Sequence, residues 1–296
     1  MVDISEYQGT ETAWCPGCGN FRILKAFPQA MVELGIEPHQ FVIVSGIGQS
    51  GKFPHYIRCN TFNGLHGRTL PVATGIRLAN HGMHVIAVAG DGDCYGEGGN
   101  HFLHAMRRNI DVTLFVHDNQ IYGLTKGQAS PTSLEGMETK VQPSGVLSEP
   151  LDPVALAVGM DCGFVARGYA GDEDFLKELM KQAISHKGFA LLDILQPCVT
   201  YNRLNTFKWY SDRVYRIGDD HNPTDRVAAF RLALEFGDRI PTGVIYRNER
   251  PTLEERNPNL AGSQPLVKQP FPAGSFTKEI RGLYQSAAKG GSGSPG

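Results

Sequence analysis

The sequence has no surplus of either charge: 28 lysines and arginines stand against 30 aspartates and glutamates, a formal net charge of -2. Such a balance gives no global attraction to nucleic acid or to an anionic membrane, so any phosphate recognition has to be local. No apolar run is long enough to cross a bilayer, and the start of the chain, MVDISEYQGTETAWC, holds neither the basic segment nor the apolar core of a secretion signal. A cytoplasmic location is expected, with no nucleic-acid or membrane partner. Cysteine is scarce: six thiols in a reducing compartment do not suit a disulfide framework, which leaves metal binding or catalysis as the better expectation. There is no internal repeat.

What is present is an ordinary globular composition, 41% hydrophobic and 20% charged, sufficient for a substantial core. Four short runs, Phe41–Val44, His84–Ala89, Val112–Val116 and Ala190–Leu195, are unalternating and rich in Val, Ile and Leu. That pattern predicts strands buried on both faces, hence a parallel sheet. Between them, helical spacing runs over Phe21–Leu34, Leu70–Asn80, His101–Arg108, Pro153–Met160 and Asp174–His186. The alternation is that of βαβ units, so the fold class is α/β with helices flanking the sheet. Past Thr206 the periodicity weakens apart from a helix near Thr224–Phe236, and proline-rich stretches suggest an irregular extension wrapping the domain or a partner. The expected division is 1–206, a cofactor-binding domain; 207–288, the extension; and 289–296, KGGSGSPG, a disordered linker or tag remnant.

Directly after the strand ending at Ala89 stands Gly90-Asp91-Gly92-Asp93, and after the next strand Asp118-Asn119-Gln120-Ile121-Tyr122-Gly123. In an open parallel sheet, ligands bind at the C-terminal ends of the strands, where adjacent strands bring two such loops together. The residue types suit Mg²⁺: a carboxylate from Asp91, the amide oxygen of Asn119 and a backbone carbonyl near Ile121, with diphosphate oxygens completing the shell. Glycines allow the backbone to approach phosphate, and the segment Glu97–Arg108 can point helix N-terminal amides at it. Taken singly, each loop is also what a tight turn looks like.

Cys15-Pro16-Gly17-Cys18 is a Cys-x-x-Cys that precedes a helix rather than following a strand, so a metal centre is favoured over thioredoxin-like redox chemistry. Sulfur ligands suit zinc or an iron–sulfur cluster equally. Cys198 lies at the C-terminal end of the Ala190–Leu195 strand, and Cys59 lies in the loop following the first strand. Cys15, Cys18, Cys59 and Cys198 are therefore the expected ligands, with Cys162 an ordinary buried thiol.

With both motifs placed, the chain resembles the β subunit of 2-oxoacid:ferredoxin oxidoreductases, in particular the 2-oxoglutarate type. The resemblance is carried by Trp14–Asn20 (WCPGCGN), Ser45–Gly48 (SGIG), Leu65–Arg68 (LHGR), Gly90–Asp93 (GDGD), Tyr122–Thr132 (YGLTKGQASPT) and Leu195–Asn202 (LQPCVTYN), in the family's order. Two departures stand out. Asp118 replaces the first residue of the usual Asn-Asn, and Gln49 occupies the place where relatives reading SGIGCSG carry a cluster cysteine. Cys59 is the natural substitute, with Gln49 as an oxygen ligand or a water-filled position the alternative.

The resemblance implies thiamine diphosphate, Mg²⁺ and one 4Fe-4S cluster. Gly46, Ile47, Gly48, Gln49, Ser50, His66, Gly90, Asp91, Gly92, Asp93, Asn119, Ile121, Gly123, Leu124 and Thr125 are the expected cofactor contacts. It also implies coenzyme A as acyl acceptor, ferredoxin as electron acceptor, and an α subunit that supplies the glutamate activating the aminopyrimidine, so that this chain alone is inactive. Lys126, with Lys52 as a second candidate, is expected to meet the distal carboxylate of the 2-oxoacid. His66 and Arg68 are expected at the cofactor or a substrate carboxylate. His101, His104 and His117 are assigned no role. The competing readings are a cluster-free thiamine-diphosphate decarboxylase or synthase, and a non-enzymatic electron carrier or zinc scaffold.

Overall fold

All four of the Val/Ile/Leu runs are strands, and every residue of the first, third and fourth of them is buried, as strands covered on both faces must be. The structure, a computed structural model, describes residues 3–270 and 274–290. Its eight strands are β1 Phe41–Ser45, β2 Asn60–Asn63, β3 His84–Gly90, β4 Thr113–Asp118, β5 Phe164–Tyr169, β6 Ala190–Leu195, β7 Val214–Arg216 and β8 Ile240–Arg247. They form one sheet in the order β2-β1-β3-β4-β6-β5-β8-β7. The first six run parallel, β8 is antiparallel to β5, and β7 is parallel to β8.

The helices are α1 Asn20–Leu34, α2 Phe53–Tyr56, α3 Thr69–Ala79, α4 Gly99–Arg108, α5 Pro153–Gly159, α6 Glu173–Ser185, α7 Phe207–Ser211, α8 Arg226–Ala233, α9 Leu253–Arg256 and α10 Ser275–Gly290. Successive strand residues face opposite sides, so Val42, Val44 and Ala87 pack into one apolar layer and Ile43, Ile86 and Val88 into the other. In the second layer α1 packs beside α6. There Phe27 meets Phe41, Phe53 and Phe115 edge-on, with ring centroids 5.9, 5.4 and 6.2 Å away. Helix α1 ends at Gly35, whose φ of 67° is the left-handed conformation that glycine adopts without steric cost.

Four strands were not legible as apolar runs. β2 is an exposed edge with polar residues, β5 carries the buried Arg167, and β7 and β8 lie in the segment expected to be an irregular extension. That segment does not merely wrap the domain: β7 and β8 continue the sheet across the expected boundary at 206/207, and α8 falls where a helix was expected. Arg167 anchors it, donating to the carbonyls of Ala233 and Glu235 at the end of α8 at 3.2 and 3.4 Å. Of the expected tail 289–296, Lys289 and Gly290 belong to the end of α10 rather than to a disordered linker, and 291–296 lie outside the described residues.

Phe27 is fully buried within an aromatic cluster, so Phe27→Ala leaves a cavity that the surrounding rings cannot fill. We expect a loss of about 3–5 kcal/mol in denaturant unfolding. A cost below about 1 kcal/mol means that α1 does not contribute to the core as described.

Candidate active site at the C-terminal edge of the sheet

Parallel registers decide which loops meet. Gly90 on β3 pairs with His117 on β4, and Asp118 on β4 pairs with Leu195 on β6. Asp91 therefore emerges beside Asp118, and Asn119 beside Gln196. The loop after β1 joins them because Ser45 pairs with Val88 on β3. One cavity at this edge is lined by Ile47, Gly48, Gln49, Ser50, His66, Gly90, Asp91, Gly92, Asp93, Asn119, Ile121, Tyr122, Gly123, Leu124 and Thr125. Of the expected cofactor contacts only Gly46 stands behind this wall, and Tyr122 is an addition. Nothing in sequence singled out Tyr122, yet Gly92 is required beneath it: a Cβ on Gly92 would come within 2.2 Å of the Tyr122 ring.

The floor of the cavity is built from buried acids. Asp91 and Asp118 are buried, and loss of solvent pushes Asp91 up and Asp118 well up, with neighbouring carboxylates adding to the rise at Asp118. Thr132 Oγ lies 2.8 Å from both Asp91 Oδ2 and Asp118 Oδ1. A hydroxyl has one proton to offer, so it cannot satisfy two carboxylates at once. Asn119 Oδ1 accepts from the Ile121 amide at 3.1 Å and keeps a second lone pair. A buried carboxylate beside an amide oxygen and a loop carbonyl is a donor set that suits a hard divalent ion such as Mg²⁺.

Asp93 has a different part from the one its motif suggested. Its Oδ1 accepts from the amides of Ile47 at 3.1 Å and Gly67 at 2.8 Å and from His66 Nδ1 at 2.6 Å, while Oδ2 accepts from Thr69 Oγ at 2.9 Å. It ties three loops together and has little capacity left for a ligand. Gly46 belongs to the same clamp, because a Cβ there would lie 2.1 Å from Asp93 Oδ2. His66 Nε2 in turn reaches Glu97 at 3.2 Å, so both ring nitrogens are engaged.

A second cavity shares Gln49, Asn119 and Gly123 with the first and is otherwise lined by Trp14, Cys15, Cys18, Asn20, Gln196, Cys198, Val199, Thr200 and Tyr201. Trp14 Nε1 donates to the Gln49 carbonyl at 2.8 Å and the Gly19 amide to the Pro197 carbonyl at 3.2 Å, which locks the Cys-x-x-Cys loop to the other two. Burial, then the adjacent thiols, pushes Cys18 up to about 11, and Gln196 Nε2 donates to its sulfur at 3.6 Å. Three thiols in one cavity, with an amide N–H aimed at one of them, suit an iron–sulfur cluster. Among the described residues no three His, Cys, Asp or Glu side chains are close enough to grip a single ion. The thiolates of a cluster bind separate irons and therefore stand farther apart than the ligands of one zinc ion.

The expected fourth ligand is corrected. Cys59 immediately precedes β2, whose Asn60 pairs with Val42 near the start of β1. A parallel neighbour forces the chain back to the N-terminal edge before the next strand begins, so Cys59 lies at the end of the sheet away from the other three thiols. There it packs against the core layer containing Phe41, and burial pushes it up to about 12. Cys94 and Cys162 are buried in the opposite layer.

Arg68 is not among the lining residues either: it is exposed and its Nη1 sits 2.9 Å from His101 Nε2. Lys52 is half-buried in a 3-10 turn and is not among the lining residues. Lys126, with a left-handed φ of 77°, lines a third cavity with Tyr201 and Arg203, beside the other two.

His117 Nδ1 lies 2.7 Å from Asn20 Oδ1 and holds that wall of the thiol cavity. Burial depresses its pKa from 6.5 to about 3, so the folded state keeps the ring neutral. Its contribution is intact above pH 6.5 and lost as pH falls from there toward 3, because only the unfolded chain takes up the proton. We expect the urea midpoint to fall below pH 6.5, and to fall less steeply in His117→Gln; equal slopes show that another group governs acid sensitivity.

The thiamine pyrophosphate enzyme C-terminal TPP-binding domain family matches residues 45–194, the stretch that supplies the first cavity. The family of the C-terminal part of the pyruvate ferredoxin oxidoreductase β chain matches residues 198–262. A 2-oxoacid:ferredoxin oxidoreductase subunit β from a Sulfolobus species is 49% identical over 257 residues, covering 82% of this chain and 84% of its own. The 2-oxoglutarate oxidoreductase subunit KorB of Mycobacterium tuberculosis is 46% identical over 192 residues, covering 65% of this chain and 52% of its own. The structure of 2-oxoglutarate:ferredoxin oxidoreductase from Magnetococcus marinus, with 2-oxoglutarate, coenzyme A and succinyl-CoA bound, superimposes with a TM-score of 0.86 at 36% identity, covering 95% of both chains. A thiamine-diphosphate fold joined by its own strand ends to a three-cysteine pocket, in a sequence this close to those relatives, makes the chain a member of the β subunits of 2-oxoacid:ferredoxin oxidoreductases.

Proposed function

We propose that this subunit, joined to an α subunit, carries thiamine diphosphate, Mg²⁺ and a 4Fe-4S cluster for the coenzyme A-dependent oxidative decarboxylation of 2-oxoglutarate, or its reversal, with ferredoxin as the electron partner. The carrying observation is the wall of Gln49, Asn119 and Gly123 common to the diphosphate cavity and the three-thiol cavity. Thiamine diphosphate, when bound, would supply the electron sink that loss of CO₂ requires, and a cluster held by Cys15, Cys18 and Cys198 would accept the electrons across the shared wall. Asp91, Asn119 and the Ile121 carbonyl would hold Mg²⁺; Cys15, Cys18 and Cys198 would hold the cluster. Asp93 keeps the loops in place while Gly90 and Gly92 let the backbone approach phosphate. The relatives' names and the 2-oxoglutarate bound in the Magnetococcus enzyme support that substrate. The reduced thiols suit a cytoplasmic setting.

In enzyme copurified anaerobically with its α subunit, Asp91→Ala should lose thiamine diphosphate and keep iron, whereas Cys198→Ser should lose iron and keep thiamine diphosphate. Normal cofactor affinity in the first, or full iron content in the second, refutes the corresponding assignment. Lys126, in the cavity beside the diphosphate site, is the candidate cation for the distal carboxylate, and a charge-assisted hydrogen bond contributes roughly 1.5–3 kcal/mol. Lys126→Met should therefore raise KM for 2-oxoglutarate at least about tenfold while leaving that for pyruvate nearly unchanged; equal effects on both exclude it from substrate selection.

A further inference from the structure

All six cysteines are accounted for: Cys15, Cys18 and Cys198 line the shared-wall cavity, and Cys59, Cys94 and Cys162 are committed elsewhere. Cys162 Sγ, for instance, is 3.4 Å from the Phe164 carbonyl. A four-iron cluster needs a terminal ligand on each iron, so the fourth corner has no thiolate.

At that corner stands Gln49. Its Oε1 is buried without a hydrogen-bond partner, a condition that costs free energy unless something binds there. A point at the Cβ position of Gly123 lies 3.8 Å from Gln49 Cγ and 3.9 Å from Cys198 Sγ, which puts the glutamine stem and one cluster thiol around the same small space. The Trp14 indole fixes the Gln49 carbonyl at 2.8 Å, so the backbone of this residue is held by the Cys-x-x-Cys loop itself.

We propose that Gln49 Oε1 is the ligand to the fourth iron of the cluster. This rests on the cluster assignment under the proposed function. A neutral amide oxygen is a harder and weaker donor to iron than thiolate, so one iron is held less firmly than the other three. It also leaves the site one negative charge poorer than an all-thiolate cluster, which raises the reduction potential. Because Gln49 borders both cavities, the differentiated iron is the one facing the thiamine diphosphate side.

The test is oxidative iron loss in the anaerobic holoenzyme with ferricyanide as one-electron oxidant. The balance is [4Fe-4S]²⁺ going to [3Fe-4S]⁺, Fe²⁺ and one electron, the electron passing to ferricyanide. Expected are release of about one iron in four and the spin-one-half resonance of an oxidised three-iron cluster. Gln49→Cys should release iron about tenfold more slowly, and Gln49→Ala about tenfold faster. Wild-type enzyme that keeps all its iron under this treatment overturns the proposal. So does a Gln49→Ala variant with unchanged release but weakened thiamine diphosphate binding, which assigns the side chain to the other cavity. Holoenzyme purified without iron or brown absorbance refutes the cluster itself, and the two failures are thereby told apart.

Discussion

Parallel pairing of β1, β3, β4 and β6 is the constraint from which the rest follows. Strands that run the same way deliver all their exits to one edge, and the registers Ser45 to Val88, Gly90 to His117 and Asp118 to Leu195 put four exits side by side. The chemistry-bearing residues are short-range neighbours only because of this. Asp91 and Asn119 stand next to one another across a single interstrand step, although a helix and a strand separate them in the chain.

Convergence alone leaves mobile loops. Here the loops are pinned by groups that do no chemistry: Asp93 draws in Ile47, His66, Gly67 and Thr69, and Trp14 holds the Gln49 backbone. The carboxylates beneath are left poorly satisfied. Asp91 and Asp118 compete for the Thr132 hydroxyl, and Asp193, pushed to about 7 chiefly by burial, takes the Tyr95 hydroxyl at 2.7 Å. Buried acids in the floor of this cavity carry a desolvation cost that the fold has to absorb.

The C-terminal segment has a comparable logic. Without β8, the β5 edge would expose unpaired backbone, and without α8 the buried guanidinium of Arg167 would lack its carbonyl acceptors. The antiparallel addition thus closes a sheet whose first six strands are all parallel.

Strand runs buried on both faces, the glycine-rich turn after β3, the Asn-containing loop after β4 and the Cys-x-x-Cys before α1 were all legible, because local patterns of hydrophobicity and turn chemistry record them directly. β5 and β8 were not: Arg167 interrupts the apolar run of β5, and β8 begins with a proline-containing stretch whose partner strand is far away in the chain. Proximity in sequence also misplaced Cys59, which lies at the opposite end of the sheet. The sequence by itself determined the α/β class, the two loops that line the diphosphate cavity and the three thiols that share the neighbouring cavity. Only the tertiary structure decided that Gln49 and not Cys59 lines the thiol cavity and that Asp93 is a clamp. The reason is that strand direction, which no local pattern encodes, sets the edge at which a residue emerges.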